Sequence, residues 1–137
     1  MVVDTSALIA VLFGEPEEEP FLRILLRASG TSSISAAAVL ETQTVARRRY
    51  KVGADKALDG LLYRLNLAIE PITLDQLEAA REGYRRFGQG TGGGTLNFGD
   101  CFSYALAKVR NEPLLFKGAD FVQTDIKAVA WALPPQG

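Results

Sequence analysis

The chain has 137 residues, 47% of them hydrophobic and 23% charged, with a formal net charge of −1. This length and composition fit a single globular domain over residues 1–137, and no uninterrupted apolar run approaches the ~20 residues of a membrane-spanning helix. Because the chain has no histidine and one cysteine, Cys101, histidine catalysis, zinc sites built from histidines or several thiolates, and an internal disulfide are all excluded. We therefore expect a cytoplasmic domain without membrane contact, in which any nucleic-acid binding depends on a local basic patch.

The hydrophobic pattern predicts strands that alternate with helices. In chain order the predicted elements are a strand at residues 1–3, helices at 7–13 and 21–26, a strand at 32–35, helices at 36–49 and 54–65, a strand at 69–72, a helix at 77–87, a glycine-rich loop at 88–95, a helix at 101–109 opened by residues 97–100, and strands at 113–116 and 128–132. Pro71 predicts that the third strand starts or edges a sheet. This alternation predicts an α/β domain with a mostly parallel sheet.

Four acidic residues stand where a parallel α/β fold would place a binding site. Asp4 directly follows the first strand and Asp120 follows the strand at 113–116, so we expect both at the carboxyl ends of strands, where such folds bind ligands. Glu41 lies within an apolar helix, and Asp100 begins the helix that continues to residue 109. Each also has an ordinary explanation. Acidic residues stabilise the first turn of a helix, which would account for Asp4 and Asp100. A glutamate on a helix can face solvent, and aspartates are common in loops, which would account for Glu41 and Asp120.

Together these acids predict a cation site. Carboxylates that converge repel one another unless a cation joins them. Ligation by oxygen atoms, with positions left for water, is typical of Mg²⁺, for which Mn²⁺ can substitute. Such a metal lowers the pKa of a water molecule and stabilises charge on a phosphate, which supplies a nucleophile without histidine. The convergence itself is a hypothesis, because the sequence alone does not place the four side chains together.

Three segments of the chain resemble the motifs of a known protein family. Residues 3–8 read VDTSAL and resemble the start of PIN domains. Residues 97–107 read NFGDCFSYALA and resemble the central motif of VapC toxins. Residues 113–118 read PLLFKG and, with Asp120, Phe121 and the TDI of residues 124–126, resemble the C-terminal motif. The resemblance runs through nearly the whole chain in the expected order.

This resemblance implies a three-layer α/β/α fold and a Mg²⁺-dependent endoribonuclease, the toxin of a type II toxin–antitoxin module. It implies catalytic roles for the acids Asp4, Glu41, Asp100 and Asp120, of which Asp4 and Asp100 hold the metal, and a hydrogen bond near the metal from Ser6. It further implies an RNA substrate, a homodimer and a cognate antitoxin, whose arginine could enter the acidic site and inhibit the enzyme.

Two departures from the family pattern bear on metal count and RNA binding. Relatives often carry another acid near Gly118 or Ala119, and neither residue is acidic here, which leaves a second metal in question. The loop before the central motif reads TGGG at residues 91–94, where relatives often carry basic residues. Arg85 and Arg86 precede this loop and are the candidate RNA contacts.

Two other functions remain open at this point. A catalytically weak PIN domain would bind RNA or a protein partner without cutting, and Ala119 and the glycine-rich loop favour this alternative. A phosphoryl-transfer enzyme with Asp4 as nucleophile is disfavoured, since haloacid-dehalogenase-like phosphatases usually carry a second aspartate where Ser6 stands.

Overall fold

The computed structural model describes residues 1–135, so the last two residues of the predicted domain lie outside the described part. The elements are β1 (Val2–Val3), α1 (Thr5–Leu12), α2 (Glu18–Arg27), β2 (Ser33–Ser35), α3 (Ala36–Tyr50), a short 3₁₀ turn (Lys51–Gly53), α4 (Ala54–Leu65), β3 (Ala68–Glu70), α5 (Leu74–Phe87), α6 (Phe98–Arg110) and β4 (Leu114–Leu115). None of the helices in this described part is long and apolar enough to cross a bilayer.

The four strands form one parallel sheet in the order β3-β2-β1-β4. Val2 lies opposite Ser33 of β2 and opposite Leu114 of β4, so β1 occupies an interior position. Because all strands point the same way, their carboxyl ends meet along one edge of the sheet, where helices α1 and α3 begin directly. The prediction of an α/β domain with a parallel sheet is confirmed.

Helices cover both faces of this sheet. The side chains of β1 and β4 alternate between the faces: Val3 and Leu115 belong to one buried cluster, Val2 and Leu114 to another. The first cluster includes residues of α1, α2, α3 and α4, among them Leu8, Phe21, Ala38 and Leu58. The second includes residues of α6, among them Tyr104 and Leu106, with Phe87 of α5 packed against it. The three-layer α/β/α arrangement is therefore also confirmed.

Several predicted bounds, and one predicted strand, differ from the structure. The predicted strand at 128–132 is wrong: only Ala128 makes a bridge, to Leu114, and the chain then leaves the sheet. Trp131 instead packs edge-on against Phe21 of α2, with ring centroids 4.9 Å apart, which explains its apolar character. The third strand lies at Ala68–Glu70, not 69–72, and is the edge strand that Pro71 indicated. Helix α1 begins two residues earlier than predicted.

Candidate active site

Asp4 lies at the carboxyl end of β1 and caps helix α1. Its backbone N–H donates to Leu115 O of β4 at 3.0 Å, which fixes the residue to the sheet. Its carboxylate Oδ2 accepts from the backbone N–H of Ser6 at 3.0 Å and from the Ser6 hydroxyl at 2.6 Å. The Ser6 hydroxyl in turn accepts from the backbone N–H of Lys117 at 3.0 Å. Asp4 is thus both a helix cap and a buried, oriented carboxylate, so the two explanations of its position are compatible.

Glu41 turns toward the same strand ends. The hydroxyl of Thr5, the residue after Asp4, lies 2.7 Å from Glu41 Oε1 and 3.2 Å from the carbonyl of Ala38. On the other side its carboxylate packs against Gly99, so closely that a methyl group at position 99 would overlap Glu41 Oε2. The side chain is half-buried between α1 and the start of α6. It does not simply point away from the fold into solvent.

Asp100 is held by a reciprocal pair of hydrogen bonds at the start of α6. The Asn97 side chain accepts from the Asp100 backbone N–H at 2.9 Å, and Asp100 Oδ2 accepts from the Asn97 backbone N–H at 3.1 Å. Asp100 is buried, with 9% of the residue exposed, and the capping box fixes its carboxylate. Its orientation is therefore set locally, within the first turn of the helix.

The acids interact electrostatically around Asp100. Burial, together with the negative charges of Asp120 and Asp4, raises the pKa of Asp100 to about 7, although the Asn97 backbone hydrogen bond opposes the shift. The Asp120 carboxylate thus lies near Asp100 and favours its protonated form. Asp120 itself is exposed, and its carbonyl accepts from the Thr95 hydroxyl at 2.6 Å. Three of the four predicted site acids thus lie near enough to interact electrostatically, and Glu41 adjoins them through Thr5 and Gly99.

This cluster has no cationic partner within residues 1–135. None of its four carboxylates forms a salt bridge there. The nearest lysine in sequence to the strand ends, Lys117, directs its ammonium group to Glu15 at 3.2 Å and Glu17 at 3.0 Å. Converging carboxylates without a counter-charge are the environment that favours a bound cation.

The donor set fits a hard divalent cation. Asp4 and Asp100 each use Oδ2 for a local hydrogen bond, whereas their Oδ1 atoms have no hydrogen-bond partner in the described chain. No three acidic or cysteine side chains of residues 1–135 already lie in ligating geometry around one point. One or two carboxylates with water completing the shell is how Mg²⁺ is commonly bound, so Asp4 and Asp100 fit such an ion.

The two arginines predicted to contact RNA lie outside the acid cluster. Arg85 pairs with Glu82 at 2.7 Å and lines an apolar groove between α5 and α6. Arg86 lies 3.5 Å from Asp125 and borders a small polar pocket at the glycine-rich loop. Their contact with RNA stays a prediction.

The sequence did not indicate three residues that shape the site: Thr5, Gly99 and Lys117. Thr5 and Gly99 act through contacts with α3. Lys117 acts through contacts with α1 and with the turn between α1 and α2. No local sequence pattern reveals such contacts. The spacing of Asn97 and Asp100, by contrast, is a capping-box spacing that is visible in the sequence.

Comparison with known proteins agrees with this geometry. The PIN domain family model matches residues 1–127. A protein named ribonuclease VapC from Mycolicibacterium smegmatis is 46% identical over 129 residues, which cover 94% of this chain and 99% of the relative.

Two solved structures share the fold. The first is Mycobacterium tuberculosis VapC20, described as a toxin that cleaves the sarcin–ricin loop, with a TM-score of 0.76 and 22% identity over 93% of this chain and 97% of that one. The second is VapBC2 from Rickettsia felis bound to a DNA fragment from its promoter, with a TM-score of 0.77 and 16% identity over 96% and 98% of the two chains. The chain belongs to the PIN-domain family and, within it, to the metal-dependent VapC ribonucleases.

Proposed function

We propose that this chain is a Mg²⁺-dependent endoribonuclease of the cytoplasm and the toxin of a type II toxin–antitoxin module. The observation that carries the proposal is the acid cluster at the strand ends, where Asp4, Asp100 and Asp120 lie together without a cationic side chain among the described residues. The family membership supports RNA as the substrate, since the VapC relatives are named ribonucleases.

Each acid has a separate role in this proposal. Asp4 and Asp100 would hold Mg²⁺, and Ser6 keeps the Asp4 carboxylate in one orientation. When bound, the ion lowers the pKa of a water molecule and stabilises negative charge on the scissile phosphate. Asp120, the exposed member of the cluster, accepts a proton from the attacking water. Glu41, fixed by the Thr5 hydroxyl, adds negative charge that draws the cation into the site.

Two protein partners are part of the proposal: a cognate antitoxin, as in the VapBC2 assembly of Rickettsia felis, and a second copy of the chain. An open apolar groove of about 420 Å³ between α5 and α6 supports a protein contact. Phe98 at its edge is 80% exposed, and Leu77 and Tyr84 in its wall are nearly half exposed. Apolar surface of this kind commonly marks an interface.

The homodimer is tested by molecular mass in solution. Phe98→Ser should lower the measured mass from that of a dimer to that of a monomer in light scattering after size-exclusion chromatography. Tyr63→Ser is the matched control, because Tyr63 is 90% exposed on α4 and outside the groove. A wild-type chain that is already monomeric, or a dimer unaffected by Phe98→Ser, contradicts this assignment.

The nuclease is tested by cleavage of a panel of structured RNAs that includes the sarcin–ricin loop, the target named for VapC20. Purified wild type should cut in Mg²⁺ and not in EDTA, and Asp100→Asn should not cut in either. Asp59→Asn removes one exposed carboxylate from α4 and should cut like wild type. If folded, antitoxin-free wild type binds RNA but cuts none of the panel, the chain is a binding module and the proposed activity is wrong.

A further inference from the structure

A small polar pocket lies between the glycine-rich loop and the segment after Asp120. Its volume is about 110 Å³, and its wall includes Arg86, Thr95, Gln123 and the backbone of residues 92–94. At ~30 Å³ for each water molecule of the liquid, this space corresponds to three or four waters. A single phosphate group, with five heavy atoms, fits a space of this size.

Two residues in the wall of the pocket have backbone N–H groups without a hydrogen-bond partner in the described chain. The backbone N–H groups of Gly92 and Gly93 make no hydrogen bond there, although the N–H of Gly94 donates to Thr91 O at 2.8 Å. The side-chain amide of Gln123 lies in the same wall with its oxygen toward Gly93, and a rotation of the amide would present its NH₂ group to an anion. Unpaired backbone amides next to a guanidinium form the kind of concave donor surface that binds anions.

Arg86 is held in place while most of its donors remain available. Its guanidinium carbon lies 4.7 Å from the centroid of the Phe87 ring, which stacks beneath it. Its only salt bridge in residues 1–135 is a long one, 3.5 Å, to Asp125. Asp125 already accepts from Tyr104 Oη at 2.7 Å and from Lys108 Nζ at 2.6 Å. Two cations therefore share one carboxylate, so Asp125 does not fully neutralise Arg86.

The same loop is connected to the acid cluster. Thr95, in the wall of the pocket, donates its hydroxyl hydrogen to the carbonyl of Asp120 at 2.6 Å. The side chain of Asp120 lies beside Asp100. The pocket and the acid cluster are therefore linked by one direct contact.

We propose that this pocket binds a phosphate group of the RNA substrate that lies close in the strand to the scissile one. The inference deepens the proposed function and rests on it. Arg86 supplies charge-assisted hydrogen bonds to the phosphate oxygens, and Gln123 and the amides of Gly92 and Gly93 complete the contact. The glycine-rich loop thus recognises the RNA backbone through main-chain N–H groups, in a segment that carries no basic side chain of its own.

Binding is measured separately from cleavage, so that the two proposals fail independently. The probe is a short fluorescein-labelled oligouridylate, titrated by fluorescence anisotropy in EDTA at several salt concentrations. All variants carry Asp100→Asn, which reduces repulsion between the metal-free acids and the RNA. A wild-type protein that does not cut RNA in the cleavage assay would contradict the proposed nuclease activity, and it would leave the result of this binding measurement unaffected.

The first matched pair changes one charge inside or outside the pocket. Arg86→Gln should weaken binding about tenfold and reduce the salt slope of the affinity by about 0.7, the value for one phosphate contact on a single strand. Arg86→Lys keeps the charge and should keep the slope. Arg23→Gln removes an exposed arginine paired with Glu19 on α2 and should leave the slope unchanged.

The second matched pair adds one negative charge within the same region of the chain. Gln123→Glu should weaken RNA binding markedly, whereas Gln89→Glu, on the exposed loop but outside the pocket wall, should have little effect. Equal effects within either pair would show only general surface electrostatics and overturn the proposal. If inorganic phosphate occupies the pocket but Arg86→Gln leaves RNA affinity and slope unchanged, the site serves a free anion and the proposal is wrong.

Discussion

Replacing Asp100 with asparagine should abolish cleavage and at the same time stabilise the metal-free protein. The asparagine side chain keeps an oxygen that can accept from the Asn97 backbone N–H, so the capping box survives. It removes the negative charge that faces Asp4 and Asp120. The charged Asp100 would thus lower the free energy of unfolding while it is needed for activity.

The magnitude follows from the pKa of Asp100, which folding raises from 3.8 to about 7. At ~1.4 kcal/mol for each unit, this difference is at most ~4 kcal/mol. Solvent at the exposed Asp120 edge screens the charges and reduces the effect to roughly 2 kcal/mol, and loss of a favourable acid at a helix start subtracts ~0.5 kcal/mol. We expect a net gain of ~1.5 kcal/mol at a pH above 7, which raises Tm by about 4–7 °C in a chain of this size.

The sign of the pH dependence provides a sharper check. A carboxyl with a raised pKa binds its proton more tightly in the folded than in the unfolded protein. Stability of the wild type should therefore fall as the pH rises from about 4 through 7, whereas Asp100→Asn lacks this contribution. The difference in Tm between the two should be clearly larger at pH 8 than at pH 5.

The assay is thermal unfolding in EDTA at both pH values, with Asp59→Asn as the control for loss of a carboxylate. Addition of Mg²⁺ should then raise the Tm of wild type more than that of Asp100→Asn, because binding to the native state stabilises it. The electrostatic reasoning is refuted if Asp100→Asn is less stable than wild type at pH 8, or if the difference is the same at pH 5.

Two further substitutions test the support of the cluster. Gly99→Ala places a methyl group against the Glu41 carboxylate and should displace it, so cleavage should fall at least about tenfold. Because that carboxylate is the flexible end of a side chain, the free energy of unfolding should change by less than ~1 kcal/mol. Gly60→Ala, with open space around it, should leave cleavage unchanged, and equal activities would contradict the placement of Glu41. Ser6→Ala removes the hydroxyl that donates to Asp4 and should lower Mg²⁺ affinity or cleavage about 10- to 100-fold; a variant with unaltered Mg²⁺ dependence of cleavage would show that the hydroxyl does not orient the ligand.

The parts of the site that could be predicted from sequence are those fixed by neighbouring residues. Asp4 follows a β-branched strand and begins a helix, and these two local signals place it at the carboxyl end of a strand. Asp100 stands three residues after Asn97, the spacing at which a side chain and a backbone N–H cap each other. In both cases the contacts that orient the carboxylate lie within three residues, so the pattern contains them.

The orientation of Glu41 could not be derived in this way. A helical glutamate has the same local pattern whether it faces solvent or a neighbouring helix. Here its orientation depends on Thr5, which lies 36 residues earlier in the chain, and on Gly99 at the start of α6. The predicted strand at 128–132 failed for a related reason. Its alternation of small and large apolar residues fits a strand, but Trp131 finds its contact on Phe21 of α2 and the backbone pairs at Ala128 only.

The hydrogen bonds of the site also explain how four acids coexist without the metal. Asp4, Glu41 and Asp100 are each oriented by a local or neighbouring donor, namely Ser6, Thr5 and Asn97, and none of these bonds requires a cation. The repulsion from Asp4 and Asp120 acts on Asp100, where burial adds to its effect. It is relieved there by a proton, because the pKa of about 7 lets the carboxyl stay protonated in a large fraction of molecules at neutral pH. Since a carboxylate must be ionised to ligate a metal, Mg²⁺ and this proton compete for the same residue. The site is thus shaped before the metal arrives, and the affinity for the metal increases as the pH rises through 7.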